Sequence, residues 1–467
     1  MFKKGYLLFV ICLWILFGCQ SADSPTATSE PGEEVGPTEV PATDTLEPEP
    51  TKTSVPPTAT PAPTETPALT GVLKYSAYVG GNPDLNWTQQ NAEAYAAERG
   101  DLELIFNSGN YYNGPVNRSI HREITGDEPP DVMSGLIVGV LREYVEQGLI
   151  ADISDLWAEQ GWDEVFPASL KEMVTIDGKQ YFVPQAIQWN GIYYRKDVFE
   201  SVGLTPPETW EALLAACDTL NAAEIAPFTI VGGQWPPPMG FWFTAIDLRL
   251  NGPEFHERLM RGQERYDSPE VRAVFEHISE MFAHECFAPS TTSYTYSRAI
   301  TQFESGDTAM YNHGEWLYEF IDEETKAQTG FFPYPIINPD VSNGELVPMF
   351  GAFIHANAEN TAEARAFLIY LASQASQQSN AETLNRVVSN LLVDPSRYDE
   401  VHAQGLALVE GAGYITQLYG ANTNPDVAAR GYQLIAQFWQ NKNNPDIIDQ
   451  ILVEWEAARQ EAYGEIE

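Results

Sequence analysis

The chain has 467 residues, with 66 acidic and 25 basic side chains and a formal net charge of −41. That surplus excludes nucleic acid as a partner, because binding it takes Lys and Arg to displace counterions. It suits a solvated acidic surface, which keeps an exported protein in solution, or a cationic ligand.

Lys3 and Lys4 precede a 12-residue apolar run, Tyr6 to Phe17, and then Gly18 and Cys19. This is the layout of an export signal, and the run is shorter than the ~20 residues a membrane-spanning helix needs. Leu16-Phe17-Gly18-Cys19 resembles a bacterial lipobox. That resemblance implies a signal over 1–18 and lipidation of Cys19, an anchor strong enough to hold the protein at a membrane. Residues 20–70 hold 11 of the 33 prolines, 12 threonines and 9 acids. With almost no large apolar side chain they cannot bury a core, and they read as a disordered tether. At ~3.1 Å per residue in polyproline II form the tether reaches up to ~150 Å.

The 397 residues from Gly71 onward exceed one simple core and call for two lobes. Of the total charge the signal contributes +2 and the tether −8, leaving −35 on this part. "GVLKYSAYV" alternates as a strand, "GGNPDLNW" reads as a loop, "TQQNAEAYAAERG" is an Ala-rich helix stopped by Gly100, and "LELIF" alternates again. Strand, helix, strand makes a βαβ unit. "PPDVM" reads as a further strand and "LIVGVLREYVEQG" as a helix ending at Gly148. Such alternation predicts an α/β lobe with a largely parallel sheet. Ligands of such sheets sit at the carboxyl ends of the strands, here the loops 80–86 and 107–114. Downstream, "TWEALLAACDTL", "SPEVRAVFEHISEMFA", "TAEARAFLIYLAS" and "NNPDIIDQILVEWEAARQEAY" show helical spacing. Cys217 shares an apolar helix face with Trp210, Leu213 and Leu214, so a buried thiol and a bridge to Cys286 both stay open.

Catalytic signatures are absent: no G-x-S-x-G, Walker A, H-E-x-x-H or C-x-x-C occurs. The abundant acids single out no carboxylate pair of the kind glycoside hydrolysis needs. His277, Glu280 and His284 have metal-like spacing before Cys286, but Val271, Val274, Ile278 and Met281 claim the inward face of that helix. Solvent-facing histidines are the reading, and neither metal nor cofactor is expected. Aromatics set among Gly, Pro and amides stand out instead. Gln188-Trp189-Asn190-Gly191 interrupts an apolar run, "GGQWPPPMGFWF" holds Trp235 and Trp242 in a stretch read as non-helical, "MYNHGEWLYEF" holds Trp316, and "MFGAF" holds Phe350. Aromatic faces with neighbouring amides suit sugars, whose C–H faces stack while their hydroxyls hydrogen-bond.

Several stretches together resemble the extracellular solute-binding proteins of ABC transporters, of the sugar-binding type related to maltose-binding protein. They are "GKQYFVPQAIQWNGIYYRKDVFESVGLTPPETWEALLAACDTL", "FESGDTAMYNHGEW", "FFPYP" and "GDEPPDVM", with Arg195 where the family usually has Asn. The resemblance implies a two-lobed α/β fold of the periplasmic-binding-protein kind (type II), closing about a hinge. It places one lobe at 71–187 with 336–380 and the other at 188–335 with 381–467. The chain crossings then fall near 187–189, 331–336 and 380. It implies a carbohydrate ligand, probed by Asn82, Asp84, Gln188, Trp189, Trp235, Trp242, Trp316 and Phe350, and delivery to the transmembrane subunits of an ABC permease. It also implies a monomer that binds without catalysing a reaction. A glycan-degrading enzyme, a sensor of the same fold and a binder of polyamines or peptides are the alternatives.

Overall fold

The computed structural model describes residues 71–79, 82–110, 116–135, 141–231, 237–288 and 295–466, all within one unit, Glu65–Glu467. Among them the side chains of 82, 110, 116–119, 237 and 238 are also outside the description. The signal, Cys19 and the tether therefore lie outside the described residues, as do Trp235 and the side chain of Asn82.

The strands in chain order are β1 Val72–Val79, β2 Glu103–Asn110, β3 Val132–Gly135, β4 Thr175–Ile176, β5 Lys179–Gln180, β6 Val183–Ile187 and β7 Asn190–Arg195. They continue with β8 Ala226–Thr229, β9 Thr308–Gly314, β10 Thr329–Phe332, β11 Gly344–Leu346, β12 Met349–Ile354 and β13 Tyr414–Thr416. One sheet has the order β2-β1-β3-β12-β6 and the other β10-β7-β9-β8. In the first, β2, β1 and β3 run parallel, and β12 is antiparallel to both β3 and β6. In the second, β7 is antiparallel to β9 and β10, while β8 lies parallel to β9. Each sheet carries its own lobe. The first packs beneath Tyr75, Phe353 and Phe367, the second beneath Phe228, Phe243 and Trp455.

Three local boundaries differ from the sequence-based expectation, each for a physical reason. The first helix runs Asn82–Arg99 and so absorbs most of the expected loop. Pro83 is tolerated in a first turn, where its missing N–H costs nothing, and Asp84 there complements the helix dipole. β2 extends to Asn110, beyond the expected strand, in register with β1 up to Val79. The helix Pro237–Leu250 starts inside the Gly/Pro-rich stretch, so Trp242 sits in a helix. Its opening prolines again occupy the first turn.

The disulfide joins Cys217, on the helix Trp210–Ala222, to Cys286 just beyond the helix Pro269–Ala283. His277, Glu280 and His284 separate: their partners are the Ala273 carbonyl, the Trp210 indole and Asp218. No group of metal-ligating side chains forms among the described residues.

The lobes join where β6 passes to β7 through Gln188 and Trp189. Beside it, the chain returns from β11 to β12 through Val347 and Pro348, and the Gln188 N–H donates to the Pro348 carbonyl at 2.8 Å. The third crossing follows Leu391. The helix Gln374–Leu384 stays with the first lobe, where Asn91 donates to Ser376 and Gln377 to the Pro184 carbonyl. Val388 bridges to Ala186, and the Leu391 N–H bonds Val165. The segment Ile336–Asn338 belongs to the second lobe, tied to Glu208, Trp210 and Arg249.

Candidate functional site

A small apolar cluster fills the junction of the lobes. Val79, Ala186 and Phe350 come from the first sheet, with Leu85 from the helix after β1. Phe241, Trp316, Leu346, Leu418 and Ala421 come from the second lobe and its β11–β13 ribbon. Trp316 is 6% exposed and Phe350 8%. The Trp316 indole meets Phe241 edge-on at 6.1 Å and tilts over His313 at 5.2 Å. Gly314 allows this, since a Cβ there would overlap the indole. Burial pushes the His313 imidazole down to about 4, so it stays neutral beside the ring.

Asp84 reaches the junction from the first turn of its helix and pairs with Arg386 at 2.5 Å. Arg386, almost fully buried, also holds Glu319 of the second lobe at 2.8 Å. Burial raises the Glu319 carboxyl; Arg386 reverses this only in part, and Asp84 and Glu315 add to it, leaving it at about 7. On the same turn as Glu319, Glu315 lies 3.7 Å from His402, which holds Asp399 at 2.8 Å. Burial alone would lower the imidazole, but the two carboxylates outweigh it and bring it up to about 9.

Beside the apolar cluster an interlobe groove of about 660 Å³ opens, within the range of ligand pockets. The helix Ala168–Met173 forms one wall, and Glu257 and Arg261 stand on the other. Tyr414, Thr416, Gln417 and Asn422 line it between them. Leu418 and Ala421, between Gln417 and Asn422 in the same strip, belong to the cluster, while the groove itself is lined by none of the cluster residues and not by Asp84.

The residues expected from sequence divide three ways. Asp84, Trp316 and Phe350 come together at the junction, and Gln188 lies buried at the crossing. Trp189, also at the crossing, turns away. It is 0% exposed, held edge-on by Phe331 and His402 at 6.3 and 5.9 Å, and covered by Gly405, where any Cβ would overlap the indole. Trp242 is in the second lobe's core against Phe228, Phe287 and Tyr334. The structure therefore packs both rings into the interior, outside the aromatic cluster of Trp316 and Phe350. Arg386, Glu315, Glu319, Phe241 and His402 carry no sequence signal, each sitting in an unremarkable helical or loop context.

The profile of the family described as bacterial extracellular solute-binding protein matches residues 81–378. A probable sugar-binding periplasmic protein of Mesorhizobium japonicum is 23% identical over 307 residues, 62% of this chain and 70% of that protein. The multiple sugar-binding protein of Streptococcus mutans is 22% identical over 44% of this chain and half of its own length. Among solved structures, the bacterial solute receptor AcbH, with its reported preference for β-D-galactopyranose, superposes with a TM-score of 0.73 at 20% identity, covering 84% of this chain and 99% of the receptor. Maltose-bound MalE3 of T. maritima gives 0.65 at 18% identity, over 83% of this chain and 99% of its own. At these identities the structures establish the shared two-lobed fold. With the family profile covering more than half of its length, the chain belongs to the bacterial extracellular solute-binding proteins.

Proposed function

We propose that the protein captures a carbohydrate, an oligosaccharide rather than a single ring, between its lobes and presents it to an ABC importer. The observation that carries this is the convergence of Trp316 and Phe350 from opposite lobes beside the buried carboxylate of Asp84, next to a 660 Å³ groove. An aromatic face, a hydroxyl acceptor and room for several rings are what a saccharide requires. The sugar-binding names of the relatives support the same ligand class. Gln188 joins these as the amide of the crossing, Asn82 opens the helix that carries Asp84, and Trp235 stands two residues before the helix that carries Phe241. The work is binding and closure, with no bond made or broken.

As a family member the protein is exported. We place it at the cell surface or in the periplasm, tethered through a lipid on Cys19 and acting as a monomer. The lipid assignment rests on the lipobox-like Leu16-Phe17-Gly18-Cys19; no helix among the described residues is long and apolar enough to cross a membrane. The permease's transmembrane subunits are the partner.

A thermal-shift screen against mono- and oligosaccharides, polyamines and peptides tests this. A specific ligand at a hundred times its Kd adds ~2.7 kcal/mol. A saccharide hit is expected. A hit confined to polyamines or peptides, for which the surplus of −35 speaks, would overturn the ligand class and keep the fold.

A further inference from the structure

Where the lobes meet, the buried charges do not balance. Asp84 and Arg386 belong to the first lobe, Arg386 being carried by the segment that bridges to β6. Glu319, Glu315 and His402 belong to the second, the glutamates on the 3-10 turn after β9 and His402 on the helix Glu400–Gly411. Their side chains are 2 to 19% exposed. Closing the lobes brings Asp84 up to Glu319 and Glu315, three carboxylates around one guanidinium and one imidazolium. Asp399, half-exposed, already engages the other nitrogen of His402. Oε2 of Glu315 is buried without a hydrogen-bond partner. One negative charge too many is thus confined away from water, which is costly unless it is neutralised.

We propose that closure of the lobes takes up one proton on Glu319, so that the closed form gains on the open one as pH falls through neutrality. Glu319 is the site because Asp84, which shares Arg386 with it, has the closer contact, 2.5 Å against 2.8 Å, and the N-terminus of its helix to hold its charge, while Glu315 lies beside His402. Arg386 gives one nitrogen to Asp84 and the other to Glu319. A protonated Glu319 still accepts from Arg386 through its carbonyl oxygen and removes the surplus charge. In the open form the carboxyl returns to water and to its ordinary range. A group whose pKa is higher in one state favours that state as protons are added. With Glu319 near 7 when closed, lowering pH from 8 to 6 raises the closed-to-open ratio about tenfold. His402 has both carboxylate partners, Glu315 and Asp399, on its own lobe, so closure leaves its charge unchanged and it does not contribute. The consequence for solute affinity rests on the carbohydrate-cleft reading, whereas the closure equilibrium does not.

The test uses the full chain without solute, so it remains informative if the cleft takes no sugar. Small-angle scattering at pH 6 and 8 is expected to show a smaller radius at pH 6 for the native protein. Glu319→Gln should show one radius at both pH values. An unchanged native radius, or an undiminished response in Glu319→Gln, would overturn the proposal. Should Glu319→Gln fail to fold, carboxyl-carbon NMR of the native protein decides. A Glu319 resonance titrating near pH 7 supports the proposal, and one titrating between pH 4 and 5 refutes it.

Discussion

Trp189→Ala separates packing from recognition at the lobe junction. The indole is 0% exposed and wedged between Phe331, His402 and the helix Glu400–Gly411 at Gly405. Removing it loses its transfer free energy and leaves a cavity that the crossing strands cannot collapse, at a cost of about 3–5 kcal/mol. For a folded part of ~400 residues, an unfolding entropy of ~2.1 cal/mol/K per residue converts 4 kcal/mol to a Tm drop of about 5 °C. Trp189→Phe should cost less than half as much, because it keeps most of the ring and discards an indole N–H that has no partner. Differential scanning calorimetry of the three proteins measures this. A Trp189→Ala protein melting within about 1 °C of native, with solute binding abolished, would refute the reasoning and return the ring to the binding face.

Trp316→Ala is expected to do the reverse, weakening saccharide binding by a few kcal/mol in calorimetric titration, the range of aromatic anchors. Gly405→Ala should destabilise by about 1–3 kcal/mol in denaturant melts, since its new methyl overlaps the Trp189 indole. Cys217→Ser with Cys286→Ser opens a loop whose ends are 69 residues apart, a loss of about 4 kcal/mol by chain entropy, read in urea melts under non-reducing conditions. His402 has a folded pKa raised from 6.5 to about 9, so its contribution is complete below 6.5 and lost as pH rises through 9. Native stability should therefore fall by up to about 3 kcal/mol over that interval, and His402→Gln should flatten the curve.

The lobes and their layering could be read from local patterns because each element answers to its own neighbours. Leu73, Tyr75 and Ala77 alternate inward, and the apolar stripe of Val271, Val274, Ile278 and Met281 repeats at helical spacing; all are buried where those periods place them. Element ends were less visible. Proline is equally at home in a loop and in a first helical turn, so the sequence alone does not mark Pro83, Pro237 and Pro238 as the helix starts they are. The amides around Trp189 misled for a related reason. A polar step inside an apolar run marks either a ligand or a backbone leaving one sheet for another. Here the Gln188 N–H serves Pro348 and the Trp189 carbonyl receives the Glu315 N–H, while Asn190 is fully buried.

The charged part of the junction had no local signature at all. Asp84, Glu319 and Arg386 are distant in sequence, and each sits among residues typical of an exposed helix or turn. What makes them a unit is that two lobes close over them and remove the water that would otherwise screen three carboxylates from one another. The surplus of −35 on this part of the chain reads in sequence as a uniform property of the surface. The fold concentrates a fraction of it at the junction of the lobes, and there the same charge costs far more than on the exterior. A composition that only promises solubility thus becomes, once folded, a bias on the open–closed equilibrium, set by whether Glu319 carries its proton.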